Sequence, residues 1–124
     1  MKLFNQNPTR ASRALQCYLI LIGYAQRRQS ITYLDLANQL GFDRAGMMGN
    51  FLGPIMAYCE REDVPALASI VVNKETGRAG IGFNTQGKDT AELQNEVFNF
   101  PWSNFYPPTE AELQESKCGE HLAA

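Results

Sequence analysis

The sequence predicts an α+β fold in one domain, on three observations. Apolar residues recur at helical spacing through the first half of the chain. A β-branched run, Ile70-Val71-Val72, is followed by a turn and a glycine-punctuated return, which reads as a hairpin. At 124 residues, with 44% hydrophobic and 19% charged, the chain fits an ordinary globular domain that can bury its own core.

The elements follow in order. Asn7 before Pro8 suggests a cap with proline at the first helical position, and Ala11, Leu15, Leu19, Ile22 and Ala25 then mark a helix over residues 8–27. Arg27 and Arg28 sit at its C-terminal end, where cations complement the helix dipole. Residues 31–41 read as a short second helix, with Thr32 as cap, Asp35 completing a capping box, and Gly41 as stop. Asp43 can cap a third helix, in which Met47, Phe51, Ile55, Met56 and Cys59 keep helical spacing, and Pro54 predicts a kink before an end near residues 60–62. Ile70-Val71-Val72, the turn Lys74-Glu75-Thr76-Gly77 and Gly80-Ile81-Gly82-Phe83 make the hairpin. A short helix over residues 89–98 precedes a segment that holds five of the thirteen aromatics within residues 98–106, where proline forbids a regular element. An acidic last helix starts behind Thr109.

Helix, turn, longer helix and hairpin is the order of a winged helix-turn-helix. The expected architecture is therefore a winged helix-turn-helix-like core over residues 8–84 with an extra N-terminal helix and a β-hairpin wing. An aromatic and acidic C-terminal extension over residues 85–124 packs on it. The segment Ile31-Thr32-Tyr33-Leu34-Asp35-Leu36-Ala37 resembles the hydrophobic-Pro-Tyr-Gly-Glu-hydrophobic-Ala segment of the alkylguanine-DNA alkyltransferases and alkyltransferase-like proteins. Gly49-Asn50-Phe51-Leu52-Gly53 is similar to that family's recognition helix, and Gly80-Ile81-Gly82-Phe83 to its terminal Gly-Gly-aromatic turn. The resemblance covers residues 31–83 and implies a DNA-binding fold in which Tyr33 matches a DNA-contacting position. It does not carry over alkyl transfer. Where the family's reactive Pro-Cys-His-Arg motif would lie, the chain has Ser69-Ile70-Val71-Val72-Asn73, without thiol or imidazole. The family's arginine-finger position falls on Gly46, two residues from Arg44.

Composition narrows the classes. Cys17, Cys59 and Cys118 are widely spaced and His121 is the single histidine, so neither a zinc site nor a Ser-His-Asp or Cys-His centre is expected. Glu60, Glu62 and Asp63 cluster at a polar helix end and read as solvated rather than as an acid-base pair. Gly77-Arg78-Ala79-Gly80-Ile81-Gly82 lacks the spacing and context of a phosphate loop. Residues 1–7 turn polar too soon for a signal peptide and no apolar run approaches a membrane span, and an odd number of widely spaced cysteines fits a reducing compartment, so a cytoplasmic location is expected. Charge is uneven: residues 1–84 carry +3 and residues 85–124 carry −5.

The function expected is therefore a non-catalytic binding or regulatory module with no cofactor, no metal and no membrane partner. Duplex DNA would meet Tyr33, Arg44, Asn50, Lys74 and Arg78, with Arg10, Arg13, Arg27 and Arg28 adding positive charge. The alternative is a protein-protein interaction module whose acidic part meets a basic partner or a second copy, through Phe100, Trp102, Phe105 and Tyr106.

Overall fold

Thr9 opens the first helix. Its hydroxyl accepts from the Ser12 N–H at 3.0 Å while the Ser12 hydroxyl accepts from the Thr9 N–H at 2.8 Å, a reciprocal capping box. Helix α1 thus spans Arg10–Gln26, and Pro8 precedes the cap instead of occupying the first helical position. The computed structural model describes residues 1–4, 6, 8–75 and 88–115. Asn7, the expected second hairpin arm at residues 80–83, Arg78, Cys118 and His121 lie outside these.

Ile31–Thr32 is a strand, β1, not the first turn of the second helix. Thr32 is extended because it is the N-cap of α2 (Tyr33–Gln39), its hydroxyl accepting from the Asp35 N–H at 3.1 Å, so the residues before the helix are free to form a ladder. That ladder is parallel: Ile31 pairs with Val71 and Thr32 with Val72, which is β2. A parallel pair needs a long crossover, and here α2 and α3 supply it. Helix α2 ends as expected. Gly41 takes φ +92°, and the Phe42 and Gly41 N–H groups return to the Ala37 and Asn38 carbonyls at 2.9 and 3.0 Å, closing a Schellman turn.

The third helix begins later than Asp43 suggests. Ala45–Met47 is a 3-10 turn entered from Arg44, and α3 spans Gly49–Glu62. The tighter turn shifts the phase of the apolar face. Met48 is therefore fully buried while Met47, expected in the core, is 48% exposed. Downstream the phase holds, with Phe51, Ile55 and Cys59 buried. Helix α3 is continuous through Pro54. Proline cannot donate to the carbonyl four residues back. That carbonyl belongs to Asn50, and the Arg10 Nε of α1 donates to it at 2.9 Å. Asp63, left-handed at φ 53°, ends the helix at the expected place.

A 3-10 turn over Leu67–Ile70 leads into β2, and α4 covers Thr90–Asn99 behind the cap Asp89. Trp102–Asn104 forms one further 3-10 turn, and α5 covers Glu110–Glu115. The fold is thus α+β and mostly helical, with one two-stranded parallel sheet among the described residues. Helix α1 lies at its centre, packed against α3 and α5. Val97, Trp102 and Leu113 of the C-terminal part are buried in the same cluster as Cys17, Leu21, Leu36 and Ile55. Among the described residues no helix is long and apolar enough to cross a membrane.

Candidate functional site

Two surfaces draw together most of the described residues singled out from the sequence. The first lies where α1 and α3 begin. Arg10, Arg13, Phe42, Met47, Asn50 and Phe51 line an open groove, and Arg44 lines an adjoining one with Phe42, Asp43 and Met47. The stretch from Gly46 to Asn50 is mostly exposed apart from Met48, although its composition suggests burial. Arg44 and Asn50 are therefore accessible together. Tyr33 and Lys74 stand elsewhere, at the end of the strand pair, since the parallel register brings both chains out beside each other after Thr32 and Val72.

The cations on and just after α1 are engaged within the chain. The Arg13 guanidinium donates to the Leu40 carbonyl at 3.1 Å and to Gln16 at 2.9 Å, and lies 5.2 Å from the Phe42 ring centroid. Arg27 stacks over Tyr24 at 4.7 Å. Arg28 donates to the Phe98 carbonyl at 3.2 Å and to Asn99 Oδ1 at 3.0 Å, so this cation complements the C-terminus of α4 and not that of its own helix.

The second surface is built from the C-terminal part. The segment 98–106 divides into a buried half and an exposed one. Trp102 is 5% exposed; its indole N–H donates to the Val97 carbonyl at 2.8 Å, and its ring meets Tyr18 and Phe100 edge-on at 6.4 and 4.6 Å. As a partner-contacting residue Trp102 is thus displaced by its role in the core. Phe100 is half-buried, stacked on Phe105 at 5.3 Å. Phe105 and Tyr106 are 57% and 95% exposed. Pro107 and Pro108 follow at once, and proline keeps the chain out of a helix that could fold these rings inward.

Tyr58, Phe100, Trp102, Phe105 and Tyr106 line a groove of about 350 Å³ with Glu62 and Glu112. Helix α5 fixes Glu112. Its Oε1 accepts from the Thr109 N–H at 3.0 Å while the Thr109 hydroxyl accepts from the Glu112 N–H at 3.1 Å. Burial, helped by Glu112 and Glu62, pushes the Tyr58 hydroxyl above its ordinary range. Arg61 lies beside the two carboxylates, 3.3 Å from Glu62 and 3.9 Å from Glu112, with its guanidinium 5.5 Å from the Tyr58 ring centroid. Sequence reading identified the aromatic residues and the cap Thr109, but not Arg61 or Tyr58. Nothing local marks them, because α3 and α5 meet only in the fold.

A further cleft of about 400 Å³ between the end of α3 and α4 is lined by Glu60, Asp63, Lys88 and Glu96 around Cys59, Leu93 and Phe100. Its lysine pairs with Glu96. Burial pushes the Cys17 thiol up to about 12 and the Cys59 thiol up to about 11, so neither forms the nucleophilic thiolate at neutral pH. Among the described residues no three His, Cys, Asp or Glu side chains are grouped to hold a metal ion. No protein-family model, curated protein or solved structure matches this chain.

Proposed function

We propose that this chain is a non-catalytic protein-binding module whose aromatic, acidic face meets a basic partner. The observation that carries the reading is the groove in which the exposed rings of Phe105 and Tyr106 stand beside Glu62 and Glu112. Contiguous exposed aromatics mark interaction sites more often than isolated ones do, and aromatic residues concentrate in the centres of interfaces. Charge agrees: residues 88–115 hold six acids against Lys88. Cys17 and Cys59, the cysteines among the described residues, are both buried. Incubation with a labelled alkylguanine oligonucleotide should leave the mass of the protein unchanged, and a stoichiometric gain on one cysteine would contradict this part of the reading.

The test is a titration with oligolysine at low salt, followed by the fluorescence of Trp102, the one tryptophan and a groove residue. Binding should weaken at least tenfold on joint replacement of Phe105 and Tyr106 by alanine, as expected for interface anchors. An unchanged signal at low salt, or binding indifferent to that replacement, would remove the reading.

A second reading is nucleic-acid binding, favoured by Arg44 and Asn50 sharing the surface at the start of α3, which has no acidic residue in its first turn. The succession α1, β1, α2, α3, β2 supports a winged helix-turn-helix relationship, with the alkyltransferase-like proteins as the family it resembles. In that reading Arg44 and Lys74 meet phosphate, and replacing either lowers the salt slope of DNA binding by about one unit. Glu→Gln changes at Glu110, Glu112 and Glu115 would tighten it by reducing the opposing charge. Absence of duplex binding at low salt, with and without those changes, would eliminate it.

A further inference from the structure

The group of the partner that enters the aromatic groove can be named from the chemistry of Arg61. We propose that the groove selects an arginine side chain of an extended partner segment, and that Arg61 is a resident mimic which the incoming guanidinium displaces. This rests on the protein-binding reading above. Three contacts define the seat: Glu62 at the Nε of Arg61, Glu112 at its Nη2, and the Tyr58 ring with its centroid 5.5 Å from the guanidinium. A planar cation with several donors matches two carboxylates and a ring face together. An ammonium is a compact point charge and matches them less well.

Exchange is cheap by construction. The side chains of Arg61, Glu62 and Glu112 are 40%, 44% and 42% exposed, and ion pairs exposed to this degree add little to stability. The Glu112 contact is long at 3.9 Å, so a ligand with better reach can improve on it. The seat itself is held independently of Arg61, since Glu112 is anchored through the Thr109 capping box and Tyr58 packs edge-on against Tyr18 at 6.1 Å. From that seat the groove continues past Phe100 to Phe105, Tyr106 and Pro107. Aromatic-lined grooves suit extended, proline-flanked segments, whose conformation is already fixed before binding.

The experiment uses the full chain and a fluorescein-labelled peptide, Ser-Gly-Pro-Arg-Pro-Gly-Ser, with versions in which lysine or citrulline replaces arginine. Anisotropy should rank arginine above lysine, with citrulline at least tenfold weaker because it keeps the shape and loses the charge. Arg61→Gln should tighten the arginine peptide about two- to fivefold, the worth of an exposed ion pair that no longer competes. Glu112→Gln should weaken it at least tenfold without moving the melting temperature, because glutamine also completes a capping box. Equal binding of lysine and arginine, or an Arg61→Gln variant that binds the same or more weakly, would overturn the arginine seat. Oligolysine binding that still depends on Phe105 and Tyr106 would then leave the protein-binding reading standing. Loss of both would remove the two together.

Discussion

Arg13 lies over Phe42 with its guanidinium bonded to the Leu40 carbonyl, whereas Tyr106 leaves 95% of its surface in solvent. The contrast runs through the two regions they belong to. In the part before residue 76, arginine side chains satisfy backbone groups and cover rings: Arg10 serves the Asn50 carbonyl that Pro54 leaves without a helical donor, and Arg28 serves the end of α4. In the part from residue 88 to 115, rings and carboxylates face outward together. Regional charge alone suggests a basic binding half and an acidic half that opposes it. The contacts instead engage much of the basic half's charge within the fold, while exposed rings and carboxylates gather where α3 meets the acidic half.

The largest expected effect separates the two halves of the aromatic segment. Trp102→Ala should cost about 3–5 kcal/mol, since it empties a buried ring site and leaves the Val97 carbonyl without its indole donor. Tyr106→Ala should change stability by less than about 0.5 kcal/mol. Urea unfolding of both variants checks this. A destabilised Tyr106 variant would make that ring part of the core and dissolve the contrast.

The next effect concerns the buried thiols of the N-terminal part. Burial raises the Cys17 and Cys59 thiols from about 9 to about 12 and 11. Between those limits the folded chain holds a proton that the unfolded chain has released. Stability is therefore full below pH 9 and falls as pH rises, by about 1.4 kcal/mol per thiol at pH 10. Tyr18, also raised by burial, adds a loss of the same sign at higher pH. Unfolding midpoints at pH 8 and 10 should differ clearly for the natural chain and less for a Cys17→Ala, Cys59→Ala variant. A pH-independent midpoint would place the thiols in solvent.

How much of this could be read from the chain depended on the range of the interaction. Helix α2 was legible because Thr32 and Gly41 are local signals whose hydrogen bonds close within a few residues, although Asp35 supplies its backbone N–H to Thr32 and not the reciprocal half of the expected capping box. The buried face of α3 was legible from periodicity downstream of Met48. Upstream it was not, because a 3-10 turn changes the period without changing composition. The parallel pairing of Ile31–Thr32 with Val71–Val72 had no local mark, since its partners are separated by two helices. Of the proposed binding surface, the aromatic segment was visible as composition. Its division at Trp102, and the meeting of Arg61 with Glu112, depended on how α1, α3 and α5 pack.

A smaller effect tests whether arginine in the N-terminal part is structural. Arg28 sits in the left-handed region at φ 57°, a conformation that glycine adopts at less cost. Arg28→Ala keeps the strain and loses the bonds to Phe98 and Asn99, and should cost about 1 kcal/mol. Arg28→Gly loses the same bonds and relieves the strain, so it should cost less than the alanine change. An alanine variant as stable as the natural chain would show that the contact to α4 contributes nothing.

The smallest effect comes from the one buried side-chain polar atom without a hydrogen-bond partner among the described residues. Ser69 is fully buried, and its hydroxyl has no partner while its carbonyl accepts from Gln94 Nε2 at 3.0 Å. A buried hydroxyl left unpaired gives up its bonds to water without replacement. Ser69→Ala removes that group and keeps the backbone carbonyl that ties α4 to the turn before β2. Stability should therefore stay level or rise by up to about 1 kcal/mol, against the usual direction of a core substitution. A loss of more than about 1 kcal/mol in Ser69→Ala would mean that the hydroxyl has a partner in solution and that the position is more than a packed turn.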